Sequence, residues 1–227
     1  MDIEYIRQKY YEYQNKKQIK LPEINIVETS KCSSFWIRID AEKLYNKIVE
    51  LKINKEFFKQ NYHFINRCLQ HEFTHIYDGI VLSEKYNNYN SFITLMFFYS
   101  EFHASYEEMM YLIEDSEDLF NEYIYLPEPI PFKYFMIIKE QEFYRKMWDI
   151  KNHCPENCDY TCREMLYYFG YCKALKIKNE LYHIEFQQLP NEFIEVSSKL
   201  FWWLHPNYYF NKIIELGNIF NDITKRI

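Results

Sequence analysis

The sequence predicts an α+β, mainly helical protein with a small N-terminal sheet. Three observations carry that reading. Apolar residues recur at helical spacing over most of the chain, two short apolar stretches near the start read as strands, and the segments after a cluster of three prolines read as helices.

Residues 2–18 place Ile3, Ile6, Tyr10 and Tyr13 on one helical stripe, and strands are expected over 24–28 and 34–39. Asp40 is expected to cap a helix running to about residue 51, and a second helix to span about 55–82 with Phe57, Phe58, Ile65, Leu69 and Ile76 facing a core. Residues 83–90 are polar and turn-rich, after which 91–114 resume a helix through Leu95, Phe98, Phe102, Tyr106, Met109 and Ile113. Pro127, Pro129 and Pro131 mark a boundary between a core of residues 1–126 and a helical C-terminal region, 127–227, packed on it or continuous with it as one domain. Thr161 with Glu164 reads as a capping box that starts one helix of that region, and Pro190 and Pro206 separate its last segments.

Composition excludes several function classes. At 227 residues with 48% hydrophobic and 20% aromatic content the chain can bury a large core. Its three glycines, Gly79, Gly170 and Gly217, permit neither a Gly-rich phosphate loop nor a dinucleotide fingerprint. A net charge of -6 gives no broad footprint for nucleic acid or an anionic membrane. The charged N-terminus and the absence of any ~20-residue apolar run argue for a cytoplasmic protein with its six cysteines mostly reduced.

The chemistry concentrates in His71-Glu72-Phe73-Thr74-His75. Histidines four apart on a helix differ by only about 40° around its axis, so both imidazoles can reach one Zn²⁺. Glu72 sits about 100° round from His71, beside the metal, where a carboxylate can take a proton from attacking water. With 7 histidines in the chain, such a pentad arises by chance roughly 0.02 times. A hydrolytic zinc site needs a third protein ligand. Glu101, His103, Glu107 and Glu108 are the candidates on the following helix, and residues two apart point to nearly opposite sides. Glu101 is chosen because it shares a face with Ala104, whose small side chain permits close helix approach, and with Glu108; His103 is the alternative.

With Ser100-Glu101-Phe102-His103-Ala104, the pentad resembles the gluzincin type of zinc metallopeptidase, in which the third ligand is a glutamate on a downstream helix. The pattern His-Glu-x-x-His-x-x-Asp, ending at Asp78, together with Ser-Glu-x-x-Ala, is similar to the mitochondrial inner-membrane peptidase family that processes an ATP-synthase subunit. It is similar, more weakly, to ImmA/IrrE-like peptidases. The resemblance spans about residues 65–108. It implies a zincin-like core with a strand at 34–39 lining the cleft, metal ligands His71, His75 and Glu101, Glu72 as general base, and a protein or peptide substrate. Asp78 and Val81 depart from the metzincin pattern and exclude that subgroup.

Asp78, three residues beyond His75, and Glu108 on the facing helix each have two readings, a hydrogen bond to a ligand imidazole or a plain solvated or helix-capping carboxylate. Cys68 reads as a small buried apolar side chain. His153, Cys154, Cys158 and Cys162 have metal-binding chemistry, but their spacing matches no standard zinc knuckle. His183 and His205 are donors in principle, with nothing to place them near the metal. Two other functions compete with the peptidase: a non-catalytic zinc-binding regulatory protein, and a metal-free helical interaction protein.

Overall fold

Asp2 opens the first helix, α1 (Ile3–Lys17), by accepting from the Tyr5 N–H, and Gln18 closes it in the left-handed conformation. The computed structural model describes residues 2–29, 37–114, 116, 122–126, 128–153, 158–178, 184–205 and 209–226. It is mainly helical with a small sheet, as the apolar periodicity indicates.

The sheet has strand order β1-β3-β2, with β1 (Ile24–Thr29) parallel to the central β3 (Val49–Asn54) and β2 (Ile37–Ile39) antiparallel to it. Residues 34–36 of the expected strand lie outside the described residues. The helix expected from Asp40 to residue 51 is only five residues long, α2 (Ala41–Tyr45), and the rest of that stretch is β3. Lys47, at φ 61°, turns the chain out of the helix. Val49, Leu51 and Ile53 alternate with Glu50 and Lys52, a period-two pattern that places all three apolar side chains in the core.

The next helix is also shorter than expected. Residues Lys55–Lys59 form a 3₁₀ turn, Gln60 is extended, and Asn61 caps α3 (Tyr62–Lys85) through the His63 N–H. After Tyr86, Asn88 caps α4 (Tyr89–Leu95), which passes through a π-helical turn (Met96–Ser100) into α5 (Glu101–Glu114). The single helix expected over 91–114 is therefore continuous but locally widened just before Glu101.

A hairpin of β4 (Tyr123–Leu126) and β5 (Glu128–Pro131) occupies the proline cluster, and Pro127 lies outside the described residues. Beyond it run α6 (Phe132–His153), α7 (Cys158–Lys178), α8 (Asn191–Trp203) and α9 (Phe210–Arg226). The capping box at Thr161 does not start a helix, because α7 is already under way at Cys158. Pro190 precedes α8 as its cap residue, and Pro206 lies outside the described residues. Among the described residues no helix is long and apolar enough to cross a membrane.

Three contacts fix the helices that matter most. Tyr10 and Tyr13 of α1 meet Phe73 edge-on at 5.1 and 5.7 Å between ring centroids, contacts that stabilise by about 1 kcal/mol each beyond area burial. Leu44 of α2 fills the space over Gly79 of α3, where an added Cβ would lie 2.1 Å from Leu44 Cδ2. Gly170 lets α7 touch the backbone of α5: a Cβ there would lie 2.5 Å from the Phe102 carbonyl oxygen. The buried apolar residues form one cluster extending from Ile6 to Phe220.

Gly170→Val is expected to force α5 and α7 apart and lower stability by ~2 kcal/mol or more. Urea denaturation of the variant against the wild type measures it, and an unchanged midpoint would contradict the close approach.

Candidate metal centre

His71, Glu72 and His75 lie on adjacent turns of α3, and Glu101 is the first residue of α5 after the π turn. The antiparallel packing of these helices brings three atoms together. His71 Nε2 and His75 Nε2 are 3.1 Å apart, and Glu101 Oε2 lies 3.7 and 3.4 Å from them. Ligand atoms held by one tetrahedral zinc at ~2.0–2.1 Å are separated by about 3.3 Å. Among the described residues this is the only group of three or more such side chains whose ligand atoms converge.

Hydrogen bonding on the far sides of the imidazoles determines what these atoms present. Glu108 Oε2 is 3.1 Å from His71 Nδ1. A carboxylate accepts, so Nδ1 donates, and Nε2 is the ring nitrogen turned to the cluster, a lone-pair donor whenever a bound cation takes the place of its proton. His75 Nδ1 is 2.7 Å from Ser100 Oγ, which plays the same part if the hydroxyl accepts. Glu101 Oε2 is buried with no hydrogen-bond partner. A buried, unpartnered carboxylate oxygen beside two imidazole nitrogens is stable only with positive charge among them.

The titration behaviour points the same way. Burial disfavours the charged His71 imidazole, yet Glu101 and Glu108 outweigh it and hold its pKa up at about 10. Burial raises Glu101, but the paired histidines dominate and keep it ionised well below the usual carboxylate range. Glu72 is shifted upward by burial, with His75, His71 and Arg163 opposing. Among the described residues no hydrogen bond or ion pair ties its carboxylate down, which leaves it available to a reacting group.

Around these groups stands a charged frame that sequence reading did not anticipate. Arg67, buried on α3 four residues before His71, pairs with Glu108 Oε1 at 3.3 Å, and the Tyr171 hydroxyl of α7 donates to the same carboxylate at 3.3 Å. Arg163 of α7 lies 3.4 Å from Glu101 Oε1, the oxygen turned away from the histidines. Tyr167, one turn further along α7, packs edge-on against His71. Arg67 was detectable as a charged residue on the His71 stripe. Arg163, Tyr167 and Tyr171 carry no local signal.

Asp78 does not support His71 or His75. Its Oδ1 is 2.8 Å from His103 Nδ1, and His103 Nε2 is 3.4 Å from Glu107, which pairs with Lys17 of α1 at 2.7 Å. Both nitrogens of His103, the alternative to Glu101, are committed to carboxylates, so neither faces the His71–His75 pair. Burial opposes its charge, but Asp78 and Glu107 prevail and raise its pKa to about 9. The geometric cause is helix phase: Asp78 is rotated by about 60° from His75, and His103 sits two residues beyond Glu101, about 200° round α5 from it.

Cys68 is a free thiol whose burial pushes its pKa to about 12, in keeping with an apolar packing role. Of the second cluster, Cys154 and the side chains of His153 and Cys158 lie outside the described residues, and Cys162 is buried in α7. His183 also lies outside them, while His205 is exposed after α8 and does not line the site.

A cavity of about 400 Å³ opens on the cluster, lined by His71, Glu72, His75, Glu101, Arg163 and Tyr167 and by apolar side chains that include Ile37 and Ile39 of β2. The strand expected at the cleft is thus beside it. Comparison with known proteins finds no family model, no curated protein and no solved structure that matches this chain.

His103→Ala would leave Asp78 buried without its cationic partner, and a loss of ~3 kcal/mol in unfolding free energy is expected. Thermal or urea denaturation checks it; a cost below ~1 kcal/mol would show that the pair is dispensable.

Proposed function

We propose that this chain is a zinc-dependent peptidase of gluzincin type, with a zincin-like core formed by α3, α5 and the β1-β3-β2 sheet. The observation that carries the reading is the unpartnered Glu101 Oε2, set within 3.7 Å of two imidazole nitrogens whose far sides are hydrogen-bonded. The donor set fits zinc: two imidazoles and one carboxylate, as in catalytic sites that keep a fourth position open. With His71 deprotonated, as a metal ligand must be, Glu72, Glu101 and Glu108 against Arg67 and Arg163 leave one negative charge in excess, which favours a cation.

His71, His75 and Glu101 would hold the metal, which when bound supplies Lewis acidity that polarises a carbonyl and lowers the pKa of water toward ~7. Glu72 is the proton carrier. Its carboxylate lines the cavity beside both histidines, takes the proton of the attacking water and returns it to the leaving amine. Burial helps by lifting its pKa, which makes the protonated form accessible within the cycle. Glu108, held by Arg67 and Tyr171, fixes the orientation of His71. A purely metal-binding regulator has no use for a carboxylate in the position of Glu72, which favours the hydrolase over that alternative.

Elemental mass spectrometry on protein prepared without chelator is expected to give one zinc per chain in the wild type and none in Glu101→Ala. A metal-free wild type that takes up no added zinc would end the proposal. Glu72→Gln should keep its zinc while peptide turnover falls by about 10²–10⁴-fold; retained turnover would remove Glu72 from the mechanism. Glu108→Gln should weaken zinc binding about 10- to 100-fold in chelator competition, and an unaltered affinity would deny it the orienting role.

A further inference from the structure

The cavity wall that does not bear charge comes from two elements. Ile37 and Ile39 belong to β2, and Ile93, Met96 and Phe97 belong to the helix that continues through the π turn into Glu101. These three helical residues precede Glu101 by eight, five and four positions, so the wall starts about 6 Å from Glu101 along the helix and extends to about 12 Å. Because wall and ligand share one helix, their separation is set by its rise.

β2 pairs only with β3 among the described strands, so its other edge has no strand beside it there. Ile37 and Ile39 are two residues apart, which puts them on one face of the strand and ~6.8 Å from each other. An extended peptide aligned with β2 repeats its side chains at the same interval. Two of its side chains, at positions i and i+2, then point at the same apolar surface, while the residue between them points away.

We propose that the cavity selects an extended peptide bearing large apolar side chains at two alternating positions on one side of the bond to be cut. This deepens the peptidase reading and rests on it for the bond that is cleaved. Such apolar–polar–apolar stretches are strand-forming segments, whose apolar face folded proteins bury, so the substrate is a chain that is unfolded or locally open. Met96 supplies a flexible surface that fits Leu, Ile, Met or Phe alike, so the alternation is selected more strongly than the individual side chain. Charged side chains at either position are excluded by the cost of stripping their water against five apolar residues.

The test uses zinc-supplemented Glu72→Gln protein and fluorescein-labelled ten-residue peptides in a serine–glutamine background, read by fluorescence anisotropy. One peptide carries Leu-Ser-Leu, a second the same composition as Leu-Leu-Ser, a third Leu-Ser-Ser. The alternating peptide is expected to bind about tenfold tighter than the other two, the effect of one further largely buried leucine. Phe97→Ser and Ile39→Ser, at two half-buried positions on different elements, should each erase that preference with little change in melting temperature. Equal binding of the three peptides, or a preference unaltered in both variants, overturns the proposal. Wild-type cleavage separates it from the reading beneath it. Cleavage of all three peptides at equal rates would sink the alternation and leave a peptidase. Tight, pattern-dependent binding without wild-type cleavage would retain the pocket and sink the peptidase.

Discussion

Two helices can bury six ionisable groups at one crossing only if the charges cancel locally, and that requirement shapes the whole α3–α5 interface. His71 and His75 meet Glu101 and Glu108, and Asp78 meets His103 beside them, all with little access to water. Left unpaired, each charge would cost several kcal/mol. The structure answers with guanidinium groups: Arg67 beside Glu108 and Arg163 beside Glu101. Among the buried atoms it leaves without a hydrogen-bond partner is the Glu101 oxygen turned toward the histidines.

The His103–Asp78 pair shows the contrasting solution. There every ring nitrogen faces a carboxylate, Lys17 of α1 completes the row through Glu107, and the group is closed to any ligand. A structural ion cluster and a candidate metal centre thus lie side by side on the same two helices. What distinguishes them is the direction of their ring nitrogens: both nitrogens of His103 face carboxylates, whereas one nitrogen each of His71 and His75 faces the other across the cluster beside Glu101.

The C-terminal region participates directly in the site. Gly170 allows α7 to rest on the α5 backbone, and from that position Arg163, Tyr167 and Tyr171 project toward Glu101, His71 and Glu108. Displacing α7 would expose the carboxylates and remove one of the two counter-charges. The alternation of polar and apolar lining in the cavity follows from the same packing, with α3 and α7 contributing charge and β2 and α4 contributing apolar surface.

The sequence by itself determined the local half of this protein. The helical identity of the chain around His71 and His75, their shared face and the position of Glu72 beside them follow from 3.6-residue periodicity, which depends on no distant contact. That Glu101 and His103 do not both face the histidine pair was legible for a similar reason, since residues two apart on a helix point to nearly opposite sides. The strand at residues 49–54 was legible too, in its alternating Val49, Leu51 and Ile53, although the capping signal at Asp40 masked it. Tertiary structure alone decided that Asp78 serves His103, that Arg163 and Tyr167 reach the site from about 60 residues beyond Glu101, and that Ser100 supports His75. Those pairings depend on the phase and spacing at which separate helices pack, set by Gly79, Gly170 and the aromatic contacts of Phe73, and no local pattern encodes a rotation between helices.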